Sequence, residues 1–286
     1  MDLFSCETRD DVNFCLKRGD NIESILDGET PLISHCRRCN IEVVCELIEQ
    51  GANTDFETHY YVHYLNTPLL IACYNSHTEL VEQMLRYDSV KNSINKFSGW
   101  FTPLTYACSQ GKCDIFDILV DAGADINLPD GLGDTPLMDA CNYNKIDIVD
   151  KLLALGVNVN HRNDDGLTAA FVISTPEILN RLYIHGLDLS IVDNNGNTPL
   201  TSNLADAGFN AEVIELMIDY YNNVNVGGYN GYTPLIHAVF HNNEDLVKFL
   251  LHYGADVNIC DDEGKTALDH ARDIFPSVCD LLQSKV

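Results

Sequence analysis

The chain has 286 residues, of which 45% are hydrophobic, and its 17 basic against 43 acidic side chains give a formal charge of −26. That balance speaks against direct binding to nucleic acid or to an anionic membrane. No stretch reaches the roughly 18 apolar residues of a membrane span and no basic-then-apolar leader opens the chain, so an intracellular protein, cytoplasmic and/or nuclear, is expected.

Residues 1–26 read as the later part of a helical unit. Val12, Cys15 and Leu16 share a stripe, Gly19 closes it, and Glu7, Arg9, Asp10, Asp11, Lys17 and Arg18 supply a polar outer face. From there a six-residue phrase, Thr-Pro-Leu-x-x-Ala or a close relative, opens at Thr30, Thr67, Thr102, Thr135, Thr168, Thr198, Thr233 and Thr266. The separations are 37, 35, 33, 33, 30, 35 and 33 residues. A period near 33 predicts a stack of one small unit rather than a single globular core. It moves the functional question from chemistry in a pocket to recognition along a surface.

The copy from Thr233 to Asn258 is the clearest. Thr233 reads as an N-cap with Pro234 in the first helical position, where proline has no needed amide to lose. Asn242 and Asn243 break the helix as a tight turn, and Glu244 and Asp245 open a second helix at the positive end of its dipole. Leu246/Val247 and Leu250/Leu251 form its apolar stripe, and Gly254 ends it in the left-handed conformation. The same pairs recur at Val43/Val44 with Leu47/Ile48, Leu80/Val81 with Met84/Leu85, and Ile148/Val149 with Leu152/Leu153. Ile178/Leu179 with Leu182/Tyr183 and Val213/Ile214 with Met217/Ile218 continue the series. Two short helices cannot bury such a face alone, so stacked neighbours must bury it jointly.

Two units depart from the pattern. Between Thr168 and Thr198 three residues are missing and Thr175-Pro176 is expected to interrupt the first helix. The next unit carries two extra residues at Leu204 to Phe209. The stack is expected to loosen around 170–210, separating a 1–165 half from a 195–286 half. Thr266-Ala267-Leu268 then starts a last unit whose second helix lies around Val278 to Leu282.

Thr-Pro-Leu, the Gly-Ala-Asp-Val-Asn tails (Gly254–Asn258, Gly123–Asn127, Gly156–Asn160) and the Asp-x-x-Gly-x-Thr lead-ins (Asp130–Thr135, Asp193–Thr198) resemble the ankyrin repeat over almost the whole chain. The resemblance implies an all-α repeat solenoid, a curved stack of seven to eight helix-turn-helix units with projecting hairpin or loop fingers, in a single 1–286 domain. Its units are a cap at 1–26, repeats at 27–62, 63–96, 97–129 and 130–162, a degenerate repeat at 163–192, a repeat with insertion at 193–227, a repeat at 228–260 and a cap repeat at 261–286. Family members often place His directly after Thr-Pro-Leu, whereas Ile33, Leu70, Thr105, Met138, Thr201 and Ile236 stand there here. The resemblance further implies that proteins are bound, on the fingers and on the concave face of the first helices.

Eleven cysteines raise the question of disulfides or zinc. Cys36, Cys73, Cys108 and Cys141 each stand six residues after their threonine, where small buried residues belong, and Cys15 lies on a stripe. Cys36-Arg-Arg-Cys39 has half a zinc spacing without a second close pair, so no metal and no cofactor are expected, and free thiols favour a reducing compartment. No Gly-x-Ser-x-Gly, phosphate loop or His-Glu-x-x-His occurs, and the repeats leave no room for a catalytic domain, so no enzymatic activity is expected. His59 and His63 are four apart, on a presumed finger rather than a helix.

The expected function is a non-catalytic scaffold or adaptor, monomeric, holding one or more proteins; the alternative is a viral or bacterial effector, decoy or regulatory subunit that inhibits a host protein. Stretched spacings point to two fingers. Thr54 to Asn66 carries Phe56, Tyr60, Tyr61 and Tyr64, and Lys96 to Phe101 carries Phe97, Trp100 and Phe101. Aromatics lead as interface anchors, although these rings could equally stiffen the fingers against each other. Further candidates are Arg37, Arg38, Tyr74, Asn75, Asn142, Tyr143, Phe240 and His241 on the first-helix rim, with Tyr229, Asn230 and Tyr232 on a later finger. Arg37-Arg38 reads either as a dock for an acidic peptide or as a solvated pair. Between Arg181 and Lys248 lie eight acids and no Lys or Arg, either a face for a basic partner or a solvated surface. Asn127, Asn160 and Asn258, each with a leucine eight residues before it, match asparagines that the family exposes to hydroxylation; their side chains could equally cap the turn.

Overall fold

The computed structural model describes residues 1–56, 67–204, 210–272 and 275–283. Among the described residues the regular structure is helical, and β pairing is limited to isolated bridges such as Ser98–Phe101 and Cys260–Thr266. The chain divides into two compact units, Met1–Val157 and Asn158–Val286.

The first unit holds α1 (Arg9–Arg18), α2 (Pro31–Arg38), α3 (Ile41–Glu49), α4 (Pro68–Tyr74), α5 (Thr78–Met84), α6 (Asp88–Lys91), α7 (Pro103–Gln110), α8 (Cys113–Asp121), α9 (Pro136–Asn142) and α10 (Ile146–Ala154). Each phrase threonine sits in extended backbone, and its hydroxyl accepts the amide three residues on: Ile33 for Thr30, Leu70 for Thr67, Thr105 for Thr102 and Met138 for Thr135. Such a cap contributes about 1 kcal/mol, and proline at the next position fixes the helical φ. Where the family often has histidine, Thr105 instead completes a capping box, its hydroxyl accepting the Thr102 amide at 2.8 Å.

The second helices bury the stripes read from the sequence. Val43, Val44, Leu47, Leu80, Val81, Met84, Ile148, Val149 and Leu152 are fully enclosed, as are Cys36, Cys73, Cys108 and Cys141 on the first helices. The extra length before Thr102 does not simply extend a finger. It forms α6, which buries Val90 and leads into buried Ile94, so only Lys96 to Phe101 is left to project.

Neighbouring repeats are joined by hydrogen bonds that recur in register. Asp125 N–H donates to Asn95 Oδ1 at 2.9 Å, joining successive tails, and Gly131 N–H donates to the Trp100 carbonyl at 2.9 Å, joining successive fingers. At the opposite end, the residue that starts the second helix reaches the closing carbonyls of the preceding first helix. Lys112 Nζ donates to the Cys73 and Tyr74 carbonyls at 3.1 and 2.7 Å, and His77 Nε2 lies 3.3 Å from the Arg37 carbonyl.

The second unit holds α11 (Pro176–Ile184), α12 (Pro199–Asn203), α13 (Ala211–Tyr221), α14 (Pro234–Phe240), α15 (Glu244–His252), α16 (Ala267–Ala271) and α17 (Pro276–Gln283), with short 3-10 turns at Ala169–Phe171 and Tyr229–Gly231. Its joints repeat the same geometry: Asp188 N–H to Asn160 Oδ1 at 2.8 Å, Asp256 N–H to Asn225 Oδ1 at 2.9 Å, Asn194 N–H to the Asp165 carbonyl and Asp262 N–H to the Asn230 carbonyl, both at 2.9 Å. Two expectations need correction here. Pro176 does not interrupt a first helix; it opens the second helix, α11, and the first has shrunk to the Ala169–Phe171 turn. With that shrinkage the Thr168 hydroxyl, buried, has lost the amide its counterparts cap. Tyr183, assigned to the buried stripe, is 41% exposed and stacks on Tyr220 with ring centroids 3.6 Å apart. The insertion at Leu204 to Phe209 lies, beyond Leu204, outside the described residues.

Candidate functional site

Counting from the phrase threonine gives each first helix a common register. The residue four places on is Ser34, Ile71, Tyr106 and Asp139 in α2, α4, α7 and α9, and all four are buried. The residue seven or eight places on, at the helix end, is exposed: Tyr74 at 40% and Tyr143 at 50%. A rim of open aromatics therefore borders a floor of buried groups in Met1–Val157.

Tyr106 organises the middle of that surface. Its ring lies 5.7 Å from Tyr74 and meets Phe101 edge-on at 5.8 Å, while Lys112 Nζ sits 5.4 Å from its centroid. Such contacts add about 0.5–1.5 kcal/mol each beyond area burial. Burial, with Tyr74 beside it, pushes the Tyr106 hydroxyl up to about 12. Phe101 is thus tied to the helix face, whereas Phe97 and Trp100 stay open at 43% and 45%. Trp100 lies against Gly131 of the following finger. A Cβ there would come within 3.1 Å of the indole, so glycine is what lets the ring come this close to the backbone.

Beside this aromatic group stands Asp139, 6% exposed, with Oδ2 lacking any hydrogen-bond partner. Burial, then the neighbouring carboxylates of Asp130 and Asp134, push its pKa up to about 8. Asp130 is itself the hub of the finger turn, its Oδ1 accepting the Leu132 and Asp134 amides at 2.8 and 3.0 Å.

In Asn158–Val286 the same register brings Tyr232, Phe240 and two histidines together. Phe240 lies 5.0 Å from Tyr232 and 4.8 Å from His270, with ring centroids as reference. His270 Nε2 meets Asp261 Oδ2 at 2.6 Å, whereas His237 Nε2, buried, has no partner. Burial, then His241, lower the His237 pKa to about 4. Phe240, His241 and Tyr229 are exposed and Tyr232 is half-buried.

The other candidates fall into place unevenly. Tyr60, Tyr61 and Tyr64, with His59 and His63, lie outside the described residues, and Phe56 is half-buried. Arg37 pairs with Glu29, its Nε 3.0 Å from Oε1, and Arg38 Nη1 donates to the Phe4 carbonyl at 2.9 Å, so both guanidinium groups already hold partners. Asn160 accepts from Asp188 N–H and donates Nδ2 to the Gly186 carbonyl at 2.9 Å, and Asn258 donates to Asp256 Oδ1 at 3.0 Å. Asn127 N–H donates to Asp125 Oδ1 at 2.9 Å. Sequence reading missed Tyr106, Asp139, His237 and His270 as members of the site; the signal available was their shared place inside the phrase.

Among the described residues no three His, Cys, Asp or Glu side chains are grouped to hold a metal, and no helix is long and apolar enough to cross a membrane. The described architecture, short antiparallel helix pairs joined in register by tails and fingers, is that of a helical repeat protein. Family models for ankyrin repeats match residues 5–95, 59–130 and 167–261, and a second such model matches 119–170. The chain belongs to the ankyrin-repeat family, whose repeats are generally non-catalytic modules that bind other proteins. It is similar to alpha-latrotoxin-Lg1a of Latrodectus geometricus, 32% identical over 44% of this chain and 10% of the toxin. It is also similar to an ankyrin repeat domain-containing protein of Stachybotrys chartarum, 28% identical over 79% of this chain and 12% of that protein. A putative ankyrin repeat protein of Fowlpox virus is 41% identical over 27% of this chain and 23% of its own length. The chain thus spans between a tenth and a quarter of these relatives.

Proposed function

We propose that the protein is a scaffold or adaptor that holds a partner protein on the first-helix face of Met1–Val157, with Phe97 and Trp100 of one finger and Tyr74 and Tyr143 of the helix rim as anchors. The observation that carries the reading is that four large aromatic side chains on this face are each at least 40% exposed, although rings of their kind dominate protein cores and interfaces. Buried Tyr106 and the phrase prolines form a rigid floor beneath them, which limits the ordering cost of binding.

The test is capture of binding proteins from cell extract by the wild-type chain and by a Phe97→Ala/Trp100→Ala/Tyr143→Ala variant. The variant should lose the captured species while its melting temperature falls by no more than a few degrees. Full capture by the variant would remove this face as the contact surface.

A further inference from the structure

Cys6 and Cys15 stand with their sulfurs 3.8 Å apart, Cys6 just ahead of α1 and Cys15 buried within it. Cys36, by contrast, faces the Met84 thioether at 3.9 Å, which offers no thiol to pair with. From the 3.8 Å contact a disulfide needs a movement of under about 2 Å. What the pair joins gives such a bond a consequence. Residues 1–6 form no helix and are held by side chains of α1 and α2. Arg18 Nη2 donates to the Met1 carbonyl and Arg38 Nη1 to the Phe4 carbonyl, both at 2.9 Å, and His35 Nε2 donates to the Leu3 carbonyl at 2.8 Å. Among residues 1–8 only Leu3 and Cys6 are buried, so this segment can open locally at small cost.

The surroundings of the two sulfurs differ. The Cys15 thiol donates to the Asp20 carboxylate, which Arg18 holds through Nε at 3.2 Å and Nη2 at 2.7 Å; Arg18 first, and this thiol after it, keep the Asp20 carboxyl below its usual range. Cys6 donates to the Asp2 carbonyl at 3.3 Å, and burial, with Cys15 beside it, pushes its thiol up to about 12. Cys6 therefore stays protonated, and Cys15, with an ionised acceptor for its proton, is the one to react first. The pair lies one side chain below the surface. The Asp20 and Arg18 side chains are 22% and 50% exposed, and Ser5 and Glu7 on either side of Cys6 are exposed.

We propose that Cys6 and Cys15 form a redox-responsive dithiol, which hydrogen peroxide converts to a disulfide that locks residues 1–6 onto α1 and α2. The Cys15 proton passes to Asp20 as the sulfur attacks one peroxide oxygen. The O–O bond breaks, and the departing hydroxide takes that proton as water, leaving a sulfenic acid on Cys15. The Cys6 sulfur then displaces the sulfenic hydroxyl, which leaves with the Cys6 proton as a second water while the S–S bond closes. One peroxide is reduced, and each thiol gives up one hydrogen.

The experiment treats the reduced whole chain with hydrogen peroxide, quenches it in acid, alkylates it unfolded with N-ethylmaleimide and cleaves after lysine and arginine without reduction. Arg9 lies between the two cysteines, so their bond leaves Met1–Arg9 joined to Asp10–Lys17, read by mass spectrometry as the two peptides less two hydrogens. That linked pair is the expected first product, with the other cysteines alkylated. Amide exchange at residues 3–6 should slow at least tenfold in the oxidised chain and recover with dithiothreitol, whereas Cys6→Ala should show no slowing after the same treatment. Oxidation that falls on the less buried Cys39, Cys113 or Cys260 while Cys6 and Cys15 carry maleimide overturns the inference, as does a sulfur acid on Cys15 without the linked pair. A Cys6–Cys15 bond that leaves exchange at residues 3–6 unchanged overturns the lock. The peptide map is read on the wild-type chain, so it does not depend on a variant folding.

Discussion

The two units carry opposite ionisable groups in the same register position and resolve them differently. In Met1–Val157 the slot four residues after Thr135 holds Asp139; in Asn158–Val286 the slots after Thr233 and Thr266 hold His237 and His270. Burial disfavours the charged form of either group, so Asp139 keeps its proton up to about pH 8 and His237 refuses one down to about pH 4. His270 has a side-chain partner in its slot, Asp261 at the end of the finger before it, 2.6 Å away. Asp139 faces the equivalent finger residue, Asp130, and an acid beside an acid gives no relief. The same repeat geometry, one finger aspartate over one first-helix slot, is thus a satisfied pair in one unit and an open demand in the other.

The largest expected effect tests that demand. The folded pKa of Asp139 lies above its unfolded value near 3.8, so this group's contribution to stability falls as pH rises between about 4 and 8 and is flat above. Asp139→Leu should remove the loss and stabilise the chain by on the order of 3 kcal/mol at pH 8 and far less at pH 4, read from urea midpoints. A destabilised variant, or a gain independent of pH, would mean that the carboxylate has a partner in solution.

His237 should behave as the mirror image, with a smaller effect. Its folded pKa lies below the unfolded value, so stability is lost as pH falls from about 6.5 to about 4. His237→Leu should flatten that limb, with a gain of on the order of 2 kcal/mol at pH 4.5 and little change at pH 7.5. Next in size is the joint between repeats. Lys112 donates to two carbonyls and to Ser76 Oγ at 2.7 Å, and lies over Tyr106. Lys112→Met should cost about 1–2 kcal/mol with no pH dependence between 5 and 8. A neutral result would show that water replaces the ammonium at the end of α4.

Which of these features could be read from the chain follows from the range of the forces involved. Caps, stripes and closing glycines are set within one turn of helix, so Thr135, Leu152 and Gly156 announce themselves by spacing. Exposed finger rings were legible for the same reason: Phe97 and Trp100 have no place on any stripe. Asp139 was not legible, because an aspartate in the open part of Thr-Pro-Leu-x-x-Ala looks solvated until Ile71 and Tyr106 show that the slot is covered. The His270–Asp261 pair was missed because it depends on how a finger folds back over a helix. The four-residue helix α6 at Asp88–Lys91 was not legible because it is too short to display a period.

The finest test compares two threonines that the sequence treats as equals. Thr135 accepts the Met138 amide at 3.3 Å, and Thr135→Ala should cost about 1 kcal/mol. Thr168 opens a phrase too, but its first helix is a single 3-10 turn and its hydroxyl is buried with nothing to bond. Thr168→Ala therefore discards no cap and removes a polar group that burial penalises, so its effect should lie within about 0.5 kcal/mol of zero and on the stabilising side. Thr168→Val, which keeps the shape, should stabilise at least as much. A loss of 1 kcal/mol at Thr168 would mean that the degenerate repeat forms a full capped helix in solution, and the contrast between regular and degenerate repeats would have to be withdrawn.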